Sequence, residues 1–450
     1  MRALRSVGSR AATALVVAVL AGTLAWYRLG PVARGTAWAE DAGVFLRERL
    51  RYGFEDTLLR PYAGYLHVVP RLVVDVAVSR PVEQYALTVS ALSCAAVGLV
   101  AAGVFLLARA VVPAWPLRIV LAAVPVVVPV VPYEVSGNAA NLHWFALVLA
   151  PWLLAHRARS WWSAVVVAVV ATAVVLTEPQ ALLFTPLLVL AWWRAPGSPG
   201  WSVLRALPVT VATVAAGAAQ VLTATTSVRE SRPGGPAVAD VVVGYLLQPL
   251  AGSWDRRLGV VGHAVVAHGW VVLVAPTVAL VLVGTAAVLV GSWRARALVV
   301  ALGLGSVVVW TAALVANASA DGHWTDLDVA GLQSQTPSRY AAASAVLLVS
   351  SAVLAAAVLV QRTGGAGRLV GAAVGWCVVT AVVAAAVGNV APAASVRAGG
   401  PEWEPQVSAR VGLCRAEPDL VLDVLAQPWD AAVPCWLVLS GRGSSGTPGR

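Results

Sequence analysis

The 450-residue sequence contains no lysine, one methionine and four cysteines, and only 12% of its residues are charged. The shortage of charge excludes most soluble folds. Hydrophobic residues make up 59% of the chain and mean hydropathy is +0.80, whereas a soluble domain is roughly a quarter charged. Repeated apolar runs of about 18 residues or more, each able to cross a ~30 Å hydrocarbon layer, predict instead an all-α, polytopic helical membrane protein. Several chemistries are missing as well. The sequence has no Walker-type phosphate loop, no Gly-x-Ser-x-Gly elbow, no zinc-ligand spacing and no Cys-x-x-Cys pair. It shows no internal repeat of fixed period. No expected span has an acid near its middle, which counts against an ion-coupled pump or transporter.

All 31 basic residues are arginine, against 21 acids, for a net charge of +10. They sit in short connectors rather than in one patch, so the positive-inside bias explains them and no nucleic-acid partner is implied. The exclusive use of Arg, with the Ala, Val and Gly bias, points to a GC-rich bacterial genome.

Met1 to Arg10 is a basic leader, and Ala11 to Leu29 reads as a retained signal-anchor helix, with no clear cleavage site. Further spans are placed at 85–110, 117–133, 139–156, 161–177, 180–193, 203–223, 264–291, 297–316, 339–360 and 369–391, about eleven in all. The connectors this puts inside hold Arg109 and Arg118, Arg157 and Arg159, Arg194 and Arg205, Arg294 and Arg296, and Arg362 and Arg368. All 21 acids then fall outside or at the outer membrane edge. The expectation is a bacterial plasma-membrane protein with a cytoplasmic N-terminus and an extracytoplasmic C-terminus. Residues 1–391 form the transmembrane domain, with long outer loops at 31–84, near 224–262 and at 317–338. Residues 392–440 read as a small folded external region and 441–450 as a disordered tail. Cys94 and Cys377 lie in spans as small hydrophobes. Cys414 and Cys435 lie outside, where oxidation is permitted, and a bridge there closes a loop of about 20 residues worth ~3 kcal/mol in the chain-entropy model.

The stretch Thr36 to Arg71 departs most from the apolar pattern, with five acids and five arginines just after the first span. Glu40-Asp41 supplies either a general base at the membrane surface or, through Asp41, the cap of the helix VFLRERLRYGF. In PYAGYLHVVPR, Tyr62 suits an interfacial belt, and helical spacing puts His67 and Arg71 on one face. There they either grip a lipid phosphate or merely sit at the interface. Asn138, Asn141, His143 and Trp144, at the outer mouth of one span, either satisfy neighbouring helices or line a cavity, and Glu178, at the top of the next, carries a similar ambiguity. Arg339-Tyr340 opens a span from the outer side against the positive-inside bias, so it needs a phosphate or an acidic partner. Asp326 and Asp328, with His323, offer a possible divalent-cation site.

Trp38-Ala39-Glu40-Asp41, PYAGYLHVVPR and Ser338-Arg339-Tyr340, in a chain of many spans with a long first outer loop, resemble the GT-C class of membrane glycosyltransferases. The chain looks like an actinobacterial branch of that class. The resemblance implies a GT-C-like fold and a sugar donor carried on polyprenyl phosphate. It implies a glycan, lipid or protein acceptor, with membrane lipids as surroundings. Asp41 or Glu40 would be the base, and Arg71, His67, Arg339, Tyr340 and Tyr62 would hold the donor phosphate. Asn141, His143 and Glu178 would line the substrate cavity. Two other readings stand beside it: a transporter or flippase of lipid-linked saccharides, and a non-catalytic membrane scaffold for envelope assembly.

Overall fold

A computed structural model of the protein describes residues 2–193, 202–229, 231–362, 364–365, 367–392 and 394–440. The expected tail 441–450 and the connector residue Arg194 lie outside the described residues. The protein is 74% helical, and its one sheet among the described residues is a two-stranded hairpin. Among the described residues, seven helices are long and apolar enough to cross a membrane, and six shorter apolar helices lie between them. The all-α, polytopic membrane class follows from these lengths.

The expected spans break where proline and glycine fall. The 264–291 run is two helices, Leu258–His268 and Val271–Val290, hinged at Gly269 with φ 78°. The 180–193 run opens as a 3₁₀ segment, Pro179–Leu187, and only Leu188–Trp192 is α-helical. The 117–133 run is helical over Trp115–Val127 and then breaks in a stretch containing Pro129 and Pro132. Carbonyls freed by such a break need donors. Arg28, at the end of the first helix, supplies them to Val126, to Val128 at 3.3 Å and to Pro129 at 3.4 Å. The outer loop expected near 224–262 holds an apolar helical segment, Val238–Ser253. It is tied in by bonds from Trp310 Nε1 to the Val241 carbonyl at 3.0 Å and between Tyr245 and Ser306 at 2.8 Å.

The Arg339–Val360 helix is the centre of the bundle, with 83% of its most apolar stretch buried. Val271–Val290 and Arg368–Gly388 are peripheral, with 11% buried in each, and turn leucine and valine outward. The first helix crosses Tyr85–Leu107 at backbone contact. A Cβ on Gly98 would stand 2.2 Å from the Ala18 carbonyl oxygen, and one on Gly22 would stand 3.2 Å from that of Cys94. Small residues permit this approach, as in close helix pairs within lipid.

The region after residue 392 folds back onto the first loop. Strands β1 (Val421–Ala426) and β2 (Trp429–Pro434) pair antiparallel around the two residues Gln427 and Pro428. Cys414 and Cys435 are disulfide-bonded. Trp403 is fully buried and donates to the Val82 carbonyl at 2.7 Å. The backbone N–H of Ala39 donates to the Gln427 carbonyl at 3.0 Å.

Candidate active site

The first loop is compact because its backbone turns are fixed locally. Residues 41–46 form a π-helical turn that runs directly into the helix Arg47–Leu58. Ala63 and Gly64, with φ of 50° and 87°, make a tight reversal closed by paired bonds between Tyr62 and Tyr65. His67 then precedes the helix Val68–Val78 instead of lying in it. Its ring therefore does not share a face with Arg71, contrary to the helical spacing expected from the sequence.

The first loop, neighbouring loops, the helix ends and the C-terminal hairpin line an open chamber of about 870 Å³. Glu40, Tyr62, His67, Asn141, His143, Trp144, Glu178, Arg339 and Tyr340 all line it, drawn from four distant stretches of the sequence. Arg339 reaches Glu40 at 3.7 Å and Glu134 at 3.6 Å. Its guanidinium lies over the Tyr340 ring and donates to the Tyr340 hydroxyl at 3.3 Å. Arg339 thus has the acidic partners that the sequence expected for it. Glu178 is buried and accepts from the Gln180 N–H at 2.8 Å, while its other oxygen meets His143 Nδ1 at 2.5 Å. That bond fixes the imidazole with its other nitrogen free to face the chamber.

Asp41 and Arg71 have other tasks. Asp41 is buried and is absent from the chamber wall. Its carboxylate accepts the backbone N–H groups of Ala139 at 2.9 Å and Ala140 at 2.7 Å. It therefore caps the turn leading into the helix Leu142–Leu154, not the helix that follows it in sequence. Burial pushes its carboxyl up from 3.8 to about 7, against the opposing pull of those two N–H bonds and of Arg397. Arg71 is buried behind Phe45, over whose ring it lies, and pairs with Glu48 at 2.8 Å. It is held inside the protein and does not reach the chamber. His67 faces the chamber but not as a cation: burial, with His143 and Arg71 nearby, holds its imidazole well below its ordinary value. It donates from Nε2 to the Tyr62 carbonyl at 3.2 Å, which leaves Nδ1 a bare acceptor. Asn138 serves its own turn, accepting from Asn141 N–H at 2.9 Å and donating to the Glu134 carbonyl at 2.7 Å.

Neither a family model, nor a curated protein, nor a solved structure matches this chain. The chamber is therefore read on its own chemistry. Four of its residues carry polar atoms buried without a hydrogen-bond partner: Glu40 Oε2, His67 Nδ1, Trp144 Nε1 and Gln180 Oε1. Such atoms cost about 1–3 kcal/mol each when left unpaired, so a polar ligand would recover much of that. The wall also carries the rings of Phe45, Tyr62, Tyr65, Trp144, Tyr340 and Trp429. Aromatic faces with a few placed polar groups suit a ligand that is partly apolar and rich in hydroxyls.

Sequence reasoning missed several of these residues. Arg229 lines the chamber and donates to Asn317 at 3.0 Å. Trp429 and Asp430 reach it from the hairpin, and no local signal connects them to the first loop. The cation grouping is also different from the one expected. His323 Nδ1 faces Asp240 at 4.0 Å, and Asp321 completes a trio whose ligand atoms lie within 4.8 Å of one another. Asp328 instead caps the short helix Val329–Gln333 through the Gly331 N–H at 2.7 Å. Asp326 belongs to neither group, and none of these residues lines the chamber.

Proposed function

We propose that the protein is a membrane glycosyltransferase with about eleven spans and a GT-C-like arrangement. It moves a sugar from a polyprenyl-phosphate donor to an acceptor hydroxyl on the extracytoplasmic face. The observation that carries this reading is the meeting of Glu40 and Arg339, 3.7 Å apart, in an aromatic-lined chamber at one end of the helices. In this reading Glu40 takes the proton of the acceptor O–H. The oxygen attacks the anomeric carbon as the bond from that carbon to the phosphate oxygen breaks. The electron pair leaves with the phosphate, whose charge Arg339 stabilises, with Arg229 on the same chamber wall. Glu134 and Glu40 hold the Arg339 guanidinium in place before the donor arrives. Asp41 builds the loop and touches no reacting atom.

The reaction is tested with purified protein in lipid and a panel of polyprenyl-phosphate sugars. The parent is expected to release or transfer sugar from one donor. Glu40→Gln should lower turnover by about 10²-fold or more while the thermal midpoint holds, the loss typical of removing a general base. Full turnover in Glu40→Gln, or no turnover of any donor by the parent, would sink the reading. Donor binding without turnover in both proteins would favour the flippase.

A further inference from the structure

The hairpin tip adds a different kind of surface to the chamber. Trp429 is 42% exposed, and its ring makes no aromatic or cation–π contact among the described residues. The Asp430 carboxylate has no hydrogen-bond or ion-pair partner among the described residues. Both side chains nevertheless sit on a rigid support. The hairpin is stapled by the Cys414–Cys435 disulfide, and its turn residue Gln427 is bonded to the backbone of Ala39, next to Glu40. Trp429 rests on Gly43, one turn after Glu40, so closely that a Cβ there would meet Cε3 of the indole at 3.3 Å. A free indole face and a free carboxylate are therefore held beside the acid that faces Arg339.

We propose that Trp429 and Asp430 form a binding subsite for a neutral saccharide, placing it next to Glu40. An indole stacks on the apolar C–H face of a sugar ring, and a carboxylate accepts from two neighbouring hydroxyls at once. The same carboxylate repels phosphate and uronate groups, whereas the guanidinium of Arg339 attracts them. The chamber is thus divided into an anion side and a neutral-sugar side. This rests on the transfer reading only for the role of the sugar as acceptor, which favours a glycan over a protein or lipid hydroxyl. The contact itself is independent of turnover.

The test is saturation-transfer NMR on the full chain in lipid nanodiscs, with an equimolar mixture of methyl glycosides of neutral sugars and methyl glucuronide. The parent is expected to transfer saturation to ring protons of at least one neutral glycoside and less to the glucuronide. Trp429→Ala should weaken that binding by about tenfold, and Trp429→Phe should retain most of it. Trp436→Ala, which removes a more exposed indole of the same region outside the chamber, should leave it unchanged. Equal signals from the parent and Trp429→Ala, or no neutral glycoside bound by the parent, would overturn the subsite. If the Trp429-dependent signal is present but no donor is turned over, the subsite stands and the transfer reading fails. If donor is turned over and Trp429→Ala binds like the parent, the subsite fails alone.

Discussion

Glu40 and Asp41 are neighbours with the same functional group, yet one faces the chamber and the other is sealed inside the protein. The adjacency of two acids was legible in the sequence; which of them turns inward was not. That is decided by the N–H groups of Ala139 and Ala140, about a hundred positions away, which only the folded chain brings to Asp41. The consequence is testable by pH. Asp41 rises from 3.8 to about 7 on folding, so the folded state holds that proton more tightly across the interval. Its stabilising contribution is full below about pH 4 and lost as pH passes about 7. The thermal midpoint in detergent should fall between those values, and Asp41→Asn should flatten this slope. Asp41→Ala leaves two buried N–H groups unpaired and should cost about 1–3 kcal/mol for each. Arg71 gives the same lesson. Its basic character and spacing were readable, but its capture by Glu48 depends on two helices packing together.

At the scale of elements, apolar length located the seven long apolar helices among the described residues, and breaks within expected spans fall where prolines or glycines interrupt a long run. Pro129, Pro132, Pro186 and Gly269 all lie inside stretches that hydropathy alone joins. The apolar segment Val238–Ser253 is a separate case: it falls in the stretch expected as an outer loop, although it is longer than the 180–193 run. The tightest element pair is the first helix against Tyr85–Leu107. Gly98→Val should force these backbones apart, since even a Cβ would meet the Ala18 carbonyl. The expected result is poor yield and a lowered thermal midpoint, with Gly388→Val, which meets no neighbour at its Cβ, as the tolerated control. The hairpin offers a second test. Cys414→Ser removes a cross-link spanning 21 positions, worth about 3 kcal/mol in the chain-entropy model. Limited proteolysis should then cut the region after residue 392 while the membrane helices stay protected.

Across the whole molecule, the sequence revealed the helical membrane class through charge and hydropathy, and the separation of arginines from acids predicts a sidedness. It could not reveal that the C-terminal region completes the chamber, because docking of one folded piece on another leaves no periodic trace. Sidedness can be checked in intact cells with a membrane-impermeant maleimide. Ser334→Cys, in an outer loop, should label, and Ser160→Cys, in an inner connector, should label only after the membrane is opened. Equal labelling of both would overturn the orientation.

The hairpin follows the seven long apolar helices of the described residues in chain order, yet its tip lines the same chamber as Glu40. During synthesis the helices therefore assemble around a chamber that still lacks one side. The acid and the arginine come together early, in a cleft with nothing to hold a second substrate against them. Only when the hairpin Val421–Pro434 has folded back is that side closed. Maturation of the pocket is thereby tied to the synthesis and docking of this late segment.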